Sequence, residues 1–279
     1  KCNHRCPWCV SAQSHTGESL EFDRFCRLLD ELKEREVKSV VLKGGGEPTV
    51  HPRINDMLHA CEERGLATGL ITNGSMFSLP DVREDAMGFD VISPTVSAGD
   101  EITFRRLHRP HRLFTFRRTL DGLIDLRGSF LGEIWAEVML VRGINDSQES
   151  LDNILEAIRT IGADRTYITV PTRPPAESGI SSPQADVLRR VLDSLPSAVD
   201  MTAPEAGEFE ACSQDPVAHL LAIAANHPLR EDQVVRILSG QHPYNDAIDV
   251  IKKLIDEKGL QRKQYGRTIF YISPPSVGR

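Results

Sequence analysis

Three cysteines, Cys2, Cys6 and Cys9, stand in the octet CNHRCPWC with the spacing C-x3-C-x2-C. Thiols grouped this tightly point to metal rather than to disulfides in a chain of 279 residues, which is large enough to fold without such staples. Two chemistries fit. A closed zinc site wants four ligands, and His4 or His15 is at hand for the fourth place. An iron–sulfur cluster held by three thiolates leaves one iron without a protein ligand, open to a substrate or cofactor. Either metal belongs in a reducing compartment, which makes the cytoplasm the expected location.

Two glycine-bearing stretches stand beside this motif. Gly44-Gly45-Gly46-Glu47-Pro48-Thr49 directly follows an apolar run, and Ile71-Thr72-Asn73-Gly74 ends the next one. Glycines in such a place bare the backbone and let a ligand approach the chain closely. Read alone, the first is equally a flexible turn and the second a β-turn. Of the remaining cysteines, Cys26 and Cys61 fall on apolar helix faces and read as buried structural thiols. Cys212 lies in the irregular segment EACSQD.

The elements that must position these groups alternate along the chain. Apolar runs bounded by Gly, Pro and Asn at 38–43, 66–72, 90–97, 134–141 and 166–171 read as parallel strands. Amphipathic helices are expected at 19–35, 53–63, about 113–126, 145–161 and 185–195, the fourth capped by Asn145 or Asp146. The β-loop-α repeat predicts an α/β fold, a parallel barrel or open sheet with ligands at the carboxyl edge of the strands. It occupies residues 1–200. An acidic linker follows at 201–213, and then a module at 214–279 of three helices and a hairpin with its turn at Tyr265-Gly266, a winged-helix-like pattern. No apolar run approaches the roughly 20 residues of a membrane span. The net charge of −7 gives no global nucleic-acid signal.

Taken together, the cysteine spacing, GGGEPT and ITNG resemble the radical S-adenosylmethionine (SAM) enzymes. The likeness runs through DVISPTVSAGDEITFRRLHRPH, WAEVMLVRGINDS and VPTRPPAE to about residue 177. These later stretches are most similar to proteins related to the wyosine-type tRNA-modifying branch. The resemblance implies a partial (β/α)6-type barrel and a 4Fe–4S cluster on Cys2, Cys6 and Cys9, with SAM chelating the unique iron. Trp8 stands where the family places an aromatic residue near the adenine. Gly45, Gly46 and Glu47 match the segment that holds the SAM amino group. Thr72, Asn73, Thr95, Ser97, Glu137 and Val170 fall at strand ends that line the SAM pocket in relatives. Where relatives often carry Ser-Leu-Asp, this chain has Thr95-Val96-Ser97, a hydroxyl in place of a carboxylate. The family also has a strand before the cysteine loop, where here only Lys1 precedes Cys2. The implied chemistry is reductive cleavage of SAM to a 5′-deoxyadenosyl radical, which abstracts hydrogen from a substrate carbon. A one-electron reductant, flavodoxin- or ferredoxin-like, is the implied partner.

The substrate is less legible. RRLHRPHRLFTFRR, residues 105–118, holds six arginines, two histidines and no acid. It reads as a phosphate or carboxylate clamp overhanging the active-site face, or as a solvated helix start whose arginines pair with nearby acids. Arg173 and Glu177, just past a strand end, either touch substrate or stiffen a proline loop. Cys212 is an ordinary linker thiol or, in a radical enzyme, the hydrogen donor to a product radical. Modification of RNA or a nucleotide, or epimerisation of a peptide or sugar, are the alternatives within the class. A metal-bearing winged-helix DNA-binding regulator is the alternative outside it. Segment 213–279 has nine Lys/Arg against seven Asp/Glu. Its acidic third helix makes a poor major-groove reader, so packing or partner binding is the expectation there.

Overall fold

The computed structural model describes residues 1–11, 20–195, 197–203, 215–239 and 244–274. The chain divides into two compact units. One comprises residues 1–7, 17–171 and 179–202; the other comprises 8–16, 172–178 and 203–279.

The first unit alternates helix and strand: α1 (Phe22–Glu34), β1 (Ser39–Leu42), α2 (Ile54–Glu62), β2 (Ala67–Thr72), α3 (Pro80–Asp85), β3 (Val91–Pro94), α4 (Glu101–His108), α5 (Phe116–Ser129), β4 (Glu133–Met139), α6 (Gln148–Ile161), β5 (Arg165–Thr169), α7 (Ala185–Ser194) and β6 (Ala198–Asp200). Each strand pairs in parallel with the next in sequence, giving one six-stranded sheet in the order β1 to β6. This is the α/β partial barrel expected. All five strands read from the sequence are present within a few residues of their expected bounds. The sheet adds β6, and the helical layer adds α3 and α4.

Burial alternates strictly along β2 to β5, as the period of two in a strand requires. One face carries Leu70, Ile92, Ile134, Ala136, Val138 and Ile168, all at most 1% exposed, against the helices. The opposite face carries Gly69, Ile71, Ser93, Thr95, Trp135, Glu137, Tyr167 and Thr169, each half-buried. Helix starts follow local capping rules. Asp100 caps α4 by accepting from Thr103 N–H at 2.8 Å, and Thr115 caps α5 through Arg118 N–H. Ser147, not Asn145 or Asp146, caps α6. Asn145 is instead fully buried: its side chain accepts from Val141 N–H and donates to the Ser97 and Met139 carbonyls.

In the second unit, α8 (Pro216–Ala224), β7 (Leu229–Arg230), α9 (Glu231–Ser239), α10 (Tyr244–Asp256), β8 (Gln261–Tyr265) and β9 (Thr268–Ile272) enclose their own apolar core. The three strands form an antiparallel sheet in the order β7-β9-β8. Gly266 turns the hairpin at φ 58°, the left-handed conformation that a two-residue loop demands. The short strand β7 joins the three helices and hairpin read from the sequence. Within this unit Lys263 Nζ donates to the Pro175 carbonyl at 3.2 Å, and Ser11 Oγ donates to the Asn226 carbonyl.

Candidate metal and cofactor site

The cysteine loop is held from three directions. Glu47 N–H donates to the Lys1 carbonyl at 3.0 Å, and Gly46 runs so close beneath that a Cβ there would overlap this carbonyl. Asn73 Nδ2 donates to Asn3 Oδ1, and Asn3 Nδ2 donates to Ser75 Oγ, both at 2.8 Å. The end of α4 supplies the third clamp: Arg5 N–H donates to the His108 carbonyl at 2.9 Å, and His111 N–H donates to the Asn3 carbonyl at 2.8 Å. The GGGEPT turn, the ITNG turn and the LHRPH stretch therefore converge on CNHRC. Gly74 contributes a second strained requirement, φ 75°, with Leu123 and Pro94 packed where its side chain would begin.

Glu47 joins the two turns. Its carboxylate is buried and accepts four hydrogen bonds: from Thr49 N–H (3.1 Å), Thr49 Oγ1 (2.6 Å), Thr72 Oγ1 (2.6 Å) and Asn73 N–H (2.7 Å). Burial pushes its pKa up, and these donors oppose that shift. The Glu47 side chain is thus spent inside the protein, on the geometry of the turns. Asn73 does the same, its Oδ1 accepting from Ser75 N–H and Oγ.

Around Cys6 the surroundings are apolar and imidazole-rich. His108 Nδ1 lies 3.6 Å from Cys6 Sγ, and the His108 carbonyl lies 3.7 Å from the same sulfur. His4 is 4% exposed; its ring stands 5.7 Å from Phe104 and 5.5 Å from His108, and neither ring nitrogen has a hydrogen-bond partner among the described residues. One nitrogen of each imidazole and the Cys6 sulfur all lie within 4.8 Å of one another. Burial holds both histidines neutral, lowering His4 to about 4 and His108 to about 3. Cys2 is exposed, and Cys6 and Cys9 are half-buried; Cys9 and the half-buried Trp8 fall in segment 8–16, which belongs to the second unit.

The other expected residues divide by face. Thr95 and Glu137 form an isolated parallel bridge on the half-buried face of the sheet. Enclosure raises the Glu137 pKa, and the Lys43 charge pulls it down. Tyr167 pairs with Glu137 in register, and Thr169 with Met139 two residues along. At the N-terminal end of this face, Trp135 Nε1 donates to Glu133 Oε2 and Arg165 lies over the indole at 5.3 Å. Ser97 is buried and its hydroxyl accepts from Met139 N–H at 2.8 Å. Val170 joins the apolar core. Cys61 is fully buried, with its thiol pushed up to about 11 by desolvation, whereas Cys26 is only half-buried. Cys212 and His15 lie outside the described residues.

The arginine-rich stretch is mostly committed within the fold. Arg105 pairs with Glu101 and Arg117 with Asp121, while Arg106 and Arg118 donate to the Gly143 and Leu113 carbonyls. The stretch closes α4 and opens α5. Its histidines at 108 and 111 reach the cysteine loop.

Residues 1–169 match the model of the radical SAM superfamily. The chain belongs to this superfamily. Radical SAM enzymes use a 4Fe–4S cluster and SAM, so this chain is an enzyme of that chemistry. Among similar proteins, a UPF0026 protein of Methanocaldococcus jannaschii is 26% identical over 97% of this chain and 88% of its own length. The fold is shared with SuiB of Streptococcus suis bound to SAM, with a TM-score of 0.59 and 17% identity over 74% of this chain. It is shared also with TYW1 bearing a lysine–pyruvate adduct, with a TM-score of 0.53 and 16% identity over 69% of this chain and 68% of that one. The chain spans about half the length of SuiB, 48%. No described helix is long and apolar enough to cross a membrane.

The residues present fit the cluster. Three thiols stand in one octet, the backbone at Gly46 is bare where the loop lies on it, and His4 has buried ring nitrogens beside Cys6 with no partner among the described residues. Sequence reasoning missed Asn3, Ser75 and the role of His108. A signal for Asn3 was available: an amide side chain between two ligand cysteines, with Asn73 and Ser75 in a strand-end turn.

Proposed function

We propose that Cys2, Cys6 and Cys9 hold the 4Fe–4S cluster and that the backbone of Gly45, Gly46 and Glu47 receives the SAM amino group. Thr72 and Asn73 hold the adjoining turn. Thr95 and Glu137, with Trp8 toward the adenine, complete the SAM pocket; Ser97 and Val170 support it from within the structure. The observation that carries this reading is the direct hydrogen bonding of both strand-end turns to the cysteine loop. When bound, the reduced cluster and SAM supply a radical that takes hydrogen from a substrate carbon. The chain's tasks are to hold the thiols in place, keep water from the Cys6 corner and present the substrate to the half-buried face of the sheet. That face offers Lys43, Ser93, Glu137, Tyr167 and Thr169, groups suited to a polar substrate.

Within the class, four of the six arginines make exposed contacts within the chain, two with acids and two with carbonyls, which weighs against an anion clamp at 105–118. The C-terminal module we read as winged-helix-like and as a packing or partner-binding element. Asp246, Asp249 and Asp256 are exposed along α10, which disfavours DNA. Cytoplasmic location and a flavodoxin- or ferredoxin-like electron donor follow from the need for reduced thiols and single electrons. Cys212 remains our proposed hydrogen donor should the reaction return hydrogen to its substrate. The decisive experiment is anaerobic reconstitution followed by reduction with dithionite. Wild type is expected to bind about four irons per chain and to convert SAM to 5′-deoxyadenosine and methionine. Alanine at Cys2, Cys6 or Cys9 abolishes both; one bound zinc and no deoxyadenosine in wild type would overturn the reading. Deuterium carried from a labelled substrate into deoxyadenosine then identifies that substrate.

A further inference from the structure

His108 lies 102 positions from Cys6 in sequence, yet its Nδ1 is 3.6 Å from the Cys6 sulfur, within hydrogen-bonding reach of an atom as large as sulfur. The contact is built rather than incidental. His108 is 2% exposed, its backbone carbonyl is fixed by Arg5 N–H, and its ring packs against Phe104 at 5.2 Å. His4 adds a second buried imidazole to the same corner, with both ring nitrogens unpartnered among the described residues. A neutral imidazole carries one N–H, and burying it without an acceptor is costly. A metal-bound thiolate can only accept. With Cys6 in that state, the His108 tautomer that carries its proton on Nδ1 directs it at the sulfur, 3.6 Å away.

We propose that His108 is a positioning residue of the cluster. Its Nδ1–H donates to the Cys6 thiolate and raises the reduction potential of the cluster, and His4 gives the same corner its second N–H. The physical reason is that a hydrogen bond withdraws electron density from the ligand sulfur, which stabilises the more electron-rich, reduced state. A cluster that must deliver an electron to SAM has to be reducible by the cell's donors, so a loss of this donor slows the loaded enzyme only through the harder reduction. The inference rests on Cys6 being a cluster ligand.

The test uses the full chain, reconstituted anaerobically as wild type, His108→Phe, His108→Asn, His4→Phe and Cys6→Ala. Asparagine places an amide N–H close to where imidazole Nδ1 stood; phenylalanine keeps the ring volume and removes the donor. Redox titration followed by electron paramagnetic resonance is expected to show a more negative midpoint in His108→Phe at wild-type iron content, with His108→Asn returning toward wild type. His4→Phe shifts in the same direction. A second readout needs no His108 variant. In wild type carrying nitrogen-labelled histidine, pulsed resonance of the reduced cluster is expected to detect a weak histidine nitrogen coupling, which His4→Phe retains in part. Absence of that coupling overturns the proposal, even where His108→Phe fails to fold. So does an unchanged midpoint in a fully loaded His108→Phe. Full iron content in Cys6→Ala would instead overturn the ligand assignment and this inference with it.

Discussion

A single carboxylate organises the turns on which the cofactor site depends. Glu47 accepts from three residues in the turns after two strands, and three of its four hydrogen bonds are buried. A buried donor left without an acceptor costs about 1–3 kcal/mol. Glu47→Ala is therefore expected to lower the stability of the cluster-free chain by about 3 kcal/mol by urea denaturation, partial rescue by water offsetting the rest of the summed cost. The same variant should lose iron, because the Asn73 turn that grips Asn3 loses its anchor. A stability within about 0.5 kcal/mol of wild type would show the network to be dispensable. At this scale the sequence was legible where chemistry is local. The cysteines declare themselves by spacing over eight residues, and Glu47 by its glycines. The pairing of His108 with Cys6 was not legible, since it depends on where the end of α4 comes to rest. Nor was it legible that the Ser97 hydroxyl accepts from Met139 N–H on a neighbouring strand.

Elements were legible in proportion to the strength of their periodicity. The buried strands announced themselves as β-branched runs, and α1, α2, α5, α6 and α7 as amphipathic stripes. The short helices α3 and α4, 6 and 8 residues long, carry too few turns for a stripe to show. Strand β6, three residues with an exposed pattern, has no apolar signature at all. The cap of α6 was misplaced because Asn145 is a good capping residue, and its side chain was claimed instead by the β4 end. The glycine turn after β1 yields the prediction proper to this scale. Gly46→Ala puts a methyl group into the Lys1 carbonyl, so the cysteine loop must lift away. The loop lies outside the apolar core, so the thermal midpoint of the cluster-free chain should fall by less than about 4 °C, the shift that about 1 kcal/mol produces in a chain of this size. Iron content after reconstitution should fall at least severalfold. Equal iron content in Gly46→Ala and wild type would mean that the loop does not rest on this turn when loaded.

The molecule as a whole carries buried ionisable groups whose charges were left to be settled by the fold. His4 and His108 have folded pKa values of about 4 and about 3, against 6.5 when unfolded. Below 6.5 the unfolded chain takes up protons that the folded chain refuses, so their contribution is fully present above pH 6.5 and is lost as pH falls through the folded values. Glu47 and Glu137 act in the other direction. Their carboxyls are raised by burial, so the folded chain holds protons that the unfolded chain has released, and their contribution is lost as pH rises above 4.5. The net curve therefore mixes the two, and the histidine part is isolated by difference. Between pH 6 and 4.5, the stability of cluster-free wild type minus that of His108→Phe should decline with falling pH by up to about 1.4 kcal/mol per pH unit, the slope of one proton. The measurement is urea denaturation at a series of pH values under reducing, metal-free conditions. Parallel curves for the two proteins would mean that His108 is protonated as readily in the folded chain as in the unfolded one, and that the corner beside Cys6 is wet.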